Sequence, residues 1–212
     1  MRNKKMTNRQ LKALETKKAL FESAMTLFRE QGFDNVYIED IAEKAGTSKG
    51  SFYTYFKTKD DVIIEHYKKI DERYEEVFRE LPPILSASEK LVQVLTAGIV
   101  FSEKLDPEIL SIVLINQLNQ KDVASFIMNR KRSLYKITHH LVEEGQLNGE
   151  FTNEIDSNQL TDMLLCYYKG LYLDWCLTKG GFDFVERSEN ELTILIRKLL
   201  QKKEDPHVAS EE

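Results

Sequence analysis

Cysteine is nearly missing from this chain of 212 residues: Cys166 and Cys176 are the only two. A pair this sparse excludes a disulfide framework and suits a reducing compartment. Ten positions apart on one helix, the two thiols lie too far from each other to bridge, so both read as small apolar core residues. Four prolines and nine glycines leave few interruptions, and strand-like alternation is scarce. No apolar run approaches the roughly 20 residues that span a bilayer. The basic start "MRNKKMTNRQLK" leads into no apolar stretch of the kind a secretory signal carries, so the expected location is the cytoplasm. Catalytic and metal signatures are also lacking: there is no glycine-rich phosphate loop, no HExxH and no CxxC pair. His139 and His140 are adjacent, so on a helix they diverge by about 100° and do not chelate together. Glu143-Glu144 reads as a solvated helix surface. Neither enzyme activity nor a metal or cofactor is expected.

What is present is helical periodicity. With 42% hydrophobic and 31% charged residues, the chain has enough apolar mass for a sizeable core and reads as all-α, about nine helices. The first helix runs from about 9 to 31, with Leu20, Phe21, Ala24, Leu27 and Phe28 on one stripe and Gly32 as its stop. Ile38, Ile41, Ala42 and Ala45 make a short amphipathic helix closed by Gly46. Ser48 caps a third, about 49 to 56, and a fourth runs from Lys59 to Pro82-Pro83. Longer helices follow: about 87 to 103; one opened by Asp106-Pro107-Glu108 whose "EILSIVLINQL" is apolar nearly all round and belongs deep in the body; one from about 121 to Gly145; one from about 157 to 179. The last starts at Ser188 with Glu191 at capping-box spacing. The expected organisation is a three-helix head over 1–58, a connecting helix over about 59–81 within a body that reaches 203, and a disordered acidic tail over 204–212.

The charge is divided along the same line. Through residue 60 there are twelve basic residues against eight acidic, a net +4; beyond it eighteen stand against twenty-seven, a net −9. A basic head on an acidic body suits a head that meets a polyanion.

The third helix gives that reading its chemistry. With Phe52 set inward, Phe56 falls about 40° away and shares the buried face. Gly50 and Thr54 then point outward, flanked by Ser51 and Tyr53. Folding has no use for such a face, and Gly50 is poor helix material, costing roughly 1 kcal/mol against alanine. Hydroxyls and small surfaces on a short helix do reach base edges and thymine methyls in a major groove. The amides of Lys49, Gly50 and Ser51 at the helix start suit a phosphate. Lys57 and Lys59 flank the face as charges for the backbone. The segment is a helix-turn-helix.

The stretch "GFDNVYIEDIAEKAGTSKGSFYTYFKTKDDVI" also resembles the signature of the TetR/AcrR transcriptional regulators. The resemblance lies in Gly32-Phe33, Ile41-Ala42, Ala45-Gly46, Ser48, Gly50, Phe52-Tyr53, Tyr55-Phe56 and Lys59, and covers about residues 10 to 65. It implies that Tyr53, Tyr55 and Lys59 grip phosphates, that Lys49, Ser51 and Thr54 touch bases, and that the DNA backbone comes close at Gly50. Where the family has a capping Thr or Ser before helix two, this chain has Tyr37, whose phenol is left to reach a phosphate without the cap. The resemblance further implies a homodimer on a palindromic double-stranded operator, the two heads about 34 Å apart or a multiple of it. Its interface is expected on the last two long helices, at Gly170, Leu192, Leu195, Ile196, Leu199 and Leu200. A small apolar or aromatic effector is expected among Phe101, Asn116, Phe126, Tyr167, Tyr168, Tyr172 and Trp175, releasing a repressor from its operator. The rival readings are a DNA-binding factor of the same fold without an effector and a helical protein–protein adaptor.

Overall fold

The structure is a computed structural model that describes residues 7–119 and 126–199, Leu199 by its backbone only. The described residues form ten helices and no sheet: α1 Asn8–Gln31, α2 Ile38–Lys44, α3 Lys49–Tyr55, α4 Lys59–Tyr67, α5 Ile70–Glu80, α6 Ala87–Glu103, α7 Pro107–Asn119, α8 Ser133–Leu147, α9 Ser157–Leu177 and α10 Phe184–Leu199. Among them no helix is long and apolar enough to cross a membrane. The chain is all-α, with one helix more than the sequence suggests. It divides into two compact units, Met1–Lys68 and Lys69–Glu212.

The extra helix comes from a break in the expected fourth helix. Lys68 N–H still bonds Ile64 O, but Glu72 N–H reaches only Lys69 O, three residues back. No glycine or proline marks the place and the apolar stripe runs in phase through it; nothing in the sequence explains the break. The head unit therefore extends past 58 to Lys68, because α4 buries Val62, Ile63, Ile64 and Tyr67 within it.

In the head, α1 starts with a reciprocal cap. Gln10 N–H donates to Thr7 Oγ1 at 3.3 Å and Thr7 N–H to Gln10 Oε1 at 2.9 Å. The turn between α2 and α3 depends on Gly46, whose φ of +64° lets Thr47 N–H reach back to Ala42 O and Gly46 N–H to Glu43 O. Leu20, Ala24, Ile41, Phe52, Val62 and Ile63 fill the centre, each no more than 1% exposed. Removing an aromatic side chain such as Phe52 from water is worth roughly 1.5–3 kcal/mol.

The body packs α10 and α5 against α6, and α8 and α9 against each other. Its centre is polar in a controlled way. Tyr74 and Tyr168 share a hydrogen bond at 3.0 Å, Tyr168 donates to Leu95 O at 2.9 Å, and Tyr168 and Tyr172 share another at 2.9 Å. Burial pushes the phenols of Tyr168 and Tyr172 well above the ordinary tyrosine range, so both keep their protons. Gly98 makes the room: a Cβ there would meet Tyr74 Oη at 2.3 Å and Tyr168 Oη at 2.4 Å.

Other boundaries differ from the sequence reading. α7 buries only Ile109, Leu110 and Val113; Ile115 and Leu118 face outward, so it is a surface helix with an apolar outer side. α8 begins at Ser133, after Arg132, which holds Asp71 of α5 with two hydrogen bonds of 2.9 Å. It continues past Gly145, where a Cβ would strike the Phe151 ring at 2.2 Å, and stops at Gly149. α10 starts four residues early, where Asp183 Oδ1 accepts from Glu186 N–H at 2.8 Å, and Ser188 lies buried inside it. Cys166 is exposed and no core residue; Cys176 is half-buried, and burial pushes its thiol up to about 11. The expected tail over 204–212 lies outside the described residues.

Gly98→Ala is expected to lower the unfolding free energy by about 2 kcal/mol, since two buried phenols must move for one methyl. Urea titration followed by circular dichroism reads this directly.

Candidate nucleic-acid interface

The helix-turn-helix is positioned by what it buries. Phe52 is fully buried and Phe56 nearly so, their rings 5.5 Å apart, and this fixes the rotation of α3. Gly50, Tyr53 and Thr54 are then exposed and Ser51 half-exposed, as the periodicity requires. Ser48 caps the helix by accepting from Ser51 N–H at 3.1 Å, which corrects the expectation of a free amide at Ser51. Thr54 Oγ1 donates to Gly50 O at 3.2 Å. Gly50 has no conformational need to be glycine: its φ lies in the ordinary region, and a Cβ would meet nothing nearer than Ser48 Oγ at 3.8 Å. Inside this chain the position has room for a side chain.

The tyrosines divide. Tyr53 and Tyr37 project into solvent, 49% and 69% exposed. Tyr55 is half-buried and, with Gln10, Ala13, Leu14 and Lys17, lines a shallow open cleft of about 300 Å³ against α1. At α2 Tyr37 supplies no side-chain cap, in line with the departure noted at that position, but Asp40 Oδ2 accepts from Tyr37 N–H at 2.8 Å and restores half of it.

The lysines divide as well. Lys57 is exposed. The ammonium of Lys59 points back into the head, donating to Phe33 O at 2.6 Å and Val36 O at 3.2 Å, and lying 4.3 Å from the centre of the Phe33 ring. It ties the loop before α2 in place, so its charge is not a free point for a phosphate. Lys49 Nζ is paired with Glu39 Oε1 of α2, a partner that no sequence pattern singles out.

In the body the expected interface residues separate. Leu192 and Ile196 are completely buried within the chain, on the α10 side that faces α6, and so leave the candidate interface. Leu195 is half-buried; the Leu199 side chain and Leu200 lie outside the described residues. Gly170 is exposed with open space around it. It sits in a stripe that the sequence reading missed: Met163, Cys166, Gly170, Leu173 and Leu177 of α9 fall within about 80° of one another and all are exposed. The stripe was hidden because the opposite side of α9, from Leu160 to Trp175, is apolar too. Polar pairs border it. Asp174 meets Arg187 at 2.8 Å and Tyr167 donates to Glu191 at 2.6 Å on the α10 side; Arg130 pairs with Asp162 on the other. Ile194, 62% exposed, extends the apolar surface onto α10.

Of the expected effector-contacting residues, Tyr168, Tyr172 and Trp175 come together in the buried core, Trp175 stacked on Phe184 with centroids 4.5 Å apart. Phe101 and Asn116 are half-buried, and Phe126 lies under the Arg132 guanidinium at 3.6 Å. Tyr167 is turned to the outer face, so it leaves the set; burial and the Glu191 carboxylate push its phenol up to about 12.

Comparison with known proteins agrees with this division. The family described as bacterial regulatory proteins, tetR family, matches residues 20–65, and that described as YsiA-like protein, C-terminal region, matches residues 66–198. The chain is similar to the fatty acid metabolism regulator protein of Bacillus subtilis, 24% identical over 180 residues, covering 84% of this chain and 92% of that one. Among solved structures, Thermus thermophilus FadR, a TetR-family transcriptional repressor in complex with lauroyl-CoA, matches with a TM-score of 0.66 at 22% identity, over 90% of this chain and 98% of that one. Bacillus subtilis FadR in complex with stearoyl-CoA matches with a TM-score of 0.62 at 24% identity, over 85% and 97%. These structural likenesses carry the fold.

Gly50→Ala is expected to raise head stability by about 0.5 kcal/mol, the helix preference of alanine meeting no obstacle. Thermal unfolding that shows a loss above about 1 kcal/mol would mean the glycine is needed within the chain.

Proposed function

Because the chain belongs to the TetR family of bacterial transcriptional regulators, we propose that it is a homodimeric repressor released from a palindromic operator by a long-chain acyl thioester of coenzyme A. It acts by binding, in the cytoplasm, and not by catalysis. The observation that carries the DNA contact is the outward face of α3, small at an unencumbered Gly50 and hydroxylated at Ser51, Tyr53 and Thr54. Tyr53, Tyr37, Tyr55 and Lys57 hold phosphates; Lys49, Ser51 and Thr54 meet base edges, with Ser48 setting the start of the helix. Lys59 acts chiefly by fixing the loop that carries Tyr37.

The dimer forms on the α9 stripe of Met163, Cys166, Gly170, Leu173 and Leu177 with Ile194 of α10. An apolar centre ringed by paired charges is the anatomy of a specific interface, and an open glycine at its middle permits close helix approach. Two heads are needed because one short helix reads too few base pairs for specificity. The effector reading is supported by the match of the C-terminal region and by what the similar regulators bind. An acyl chain needs apolar surface and its thioester a few hydroxyl or amide groups; Phe101, Phe126, Trp175 and Asn116 are the candidates, and Tyr168 and Tyr172 join them only by giving up the hydrogen bonds they share in the core. Binding that favours one arrangement of the body over another shifts operator affinity by a coupling of about 1–3 kcal/mol.

Leu173→Glu is expected to give folded monomers in sedimentation velocity with little DNA affinity, whereas Leu192→Glu, aimed at the core, unfolds the body. Tyr53→Ala is expected to leave the dimer intact and weaken binding to a duplex enriched from a random pool by tenfold or more, about 1.4 kcal/mol. Stearoyl-CoA or lauroyl-CoA added to the wild-type complex should release the DNA in a gel-shift titration, and coenzyme A alone should not. If neither acyl-CoA binds while dimer and DNA complex persist, the acyl-CoA reading fails and the DNA-binding reading stands.

A further inference from the structure

The ion pair between Lys49 and Glu39 joins the first residue of α3 to α2 across the helix-turn-helix, and both side chains are more than half exposed, at 51% and 58%. Each holds the other charged. The carboxyl of Glu39 lies below its ordinary value chiefly through the hydrogen bond from Lys49, and the ammonium of Lys49 lies above its own chiefly through the same bond. The pair stands next to Gly50, at the start of the face that would enter a groove.

Its setting makes it more than a surface decoration. Asp40, the neighbouring acid, already accepts from the Tyr37 amide, and the ammonium of Lys59 is taken up by backbone carbonyls. Glu39 is thus an acid directed at the first cation of α3. A carboxylate there opposes a phosphate chain by charge and occupies a donor that the nucleic acid would otherwise use.

We propose that Glu39 restrains the DNA affinity of α3: its carboxylate competes with nucleic acid for Lys49 and surrenders it only to a duplex whose groups at that position offset the lost pair. On unselected DNA the pair persists and Lys49 adds nothing to sequence-independent affinity. On the operator Lys49 exchanges Glu39 for a base edge or phosphate. The acid lowers both affinities, that for the operator by the whole strength of the pair and that for unselected DNA by the smaller contact Lys49 would otherwise make there. The inference rests on the DNA-contact reading of α3.

The test is fluorescence anisotropy of the full-length wild type, Glu39→Gln, Lys49→Met and the double variant. Each is titrated with a duplex enriched from a random pool and with a shuffled duplex of equal composition, over a potassium chloride series. Glu39→Gln should bind the enriched duplex about two- to fivefold tighter, the range expected for an exposed ion pair that no longer has to be broken. It should gain less on the shuffled duplex, so the ratio of the two affinities rises. Its salt dependence on the shuffled duplex should steepen by about one unit of slope. The double variant should match Lys49→Met, because with no lysine there is nothing to release. Unchanged or weaker enriched-duplex binding by Glu39→Gln overturns the proposal, as does an equal gain without Lys49, which would be a general charge effect. A wild type that binds neither duplex removes the α3 reading together with this one; a wild type that binds, with a silent Glu39→Gln, removes this inference alone.

Discussion

Burial of Phe52 and Phe56 against the head is the constraint on which the rest depends. A helix of seven residues has little stability of its own; it exists because two phenylalanines one turn apart are removed from water together. Their direction leaves α3 no rotational freedom, so Gly50 and Thr54 must face solvent whatever they do there. The Gly46 turn and the Ser48 cap set where the helix starts, and the phenylalanines set which way it points. The proposed reading face is therefore a consequence of packing: it is the side the core does not take.

Charge is managed at the same place. A basic head with freely exposed lysines would adhere to any polyanion. Here Lys59 is spent on holding the loop before α2, Lys49 is held by Glu39, and Lys17 meets Glu65 at 2.7 Å. Exposed pairs of this kind add little to folding stability, so their effect is felt at the surface, in how much charge remains for a partner. In the body the polar problem is solved by closure: three tyrosine hydroxyls, a backbone carbonyl and a glycine without a side chain satisfy one another in the core.

Much of this was legible in the sequence, and what was not has identifiable causes. The ends of α1, α6 and α9 follow from caps and glycines close to the chain. The face of α3 follows from 100° geometry, because its apolar residues lie on one side only. On α9 the same reasoning failed: apolar residues occur on both sides, so periodicity could not tell the buried face from the one open to a partner. Leu192 and Ile196 were misassigned for a related reason, since a core stripe and an interface stripe look alike until a neighbour, here α6, is seen to cover one. Gly145 lies inside α8 with the Phe151 ring against it, whereas Gly149, at a φ of +75°, stands in open space past the helix end, and the sequence does not tell the two apart. The break at Lys68–Lys69 leaves no trace in pattern or composition. Lys59 reads as a surface charge until the carbonyls around its ammonium are located, and Glu39 carries no local signature at all.

The central claim is that the outward face of α3 reads duplex DNA. It is tested most directly by selecting duplexes from a random pool with the wild type and, separately, with Thr54→Arg, then comparing the enriched sequences. The account predicts a two-fold symmetric motif for the wild type, and a change of preference confined to symmetry-related positions in the variant. Identical motifs from both proteins, or no enrichment by the wild type, would contradict it.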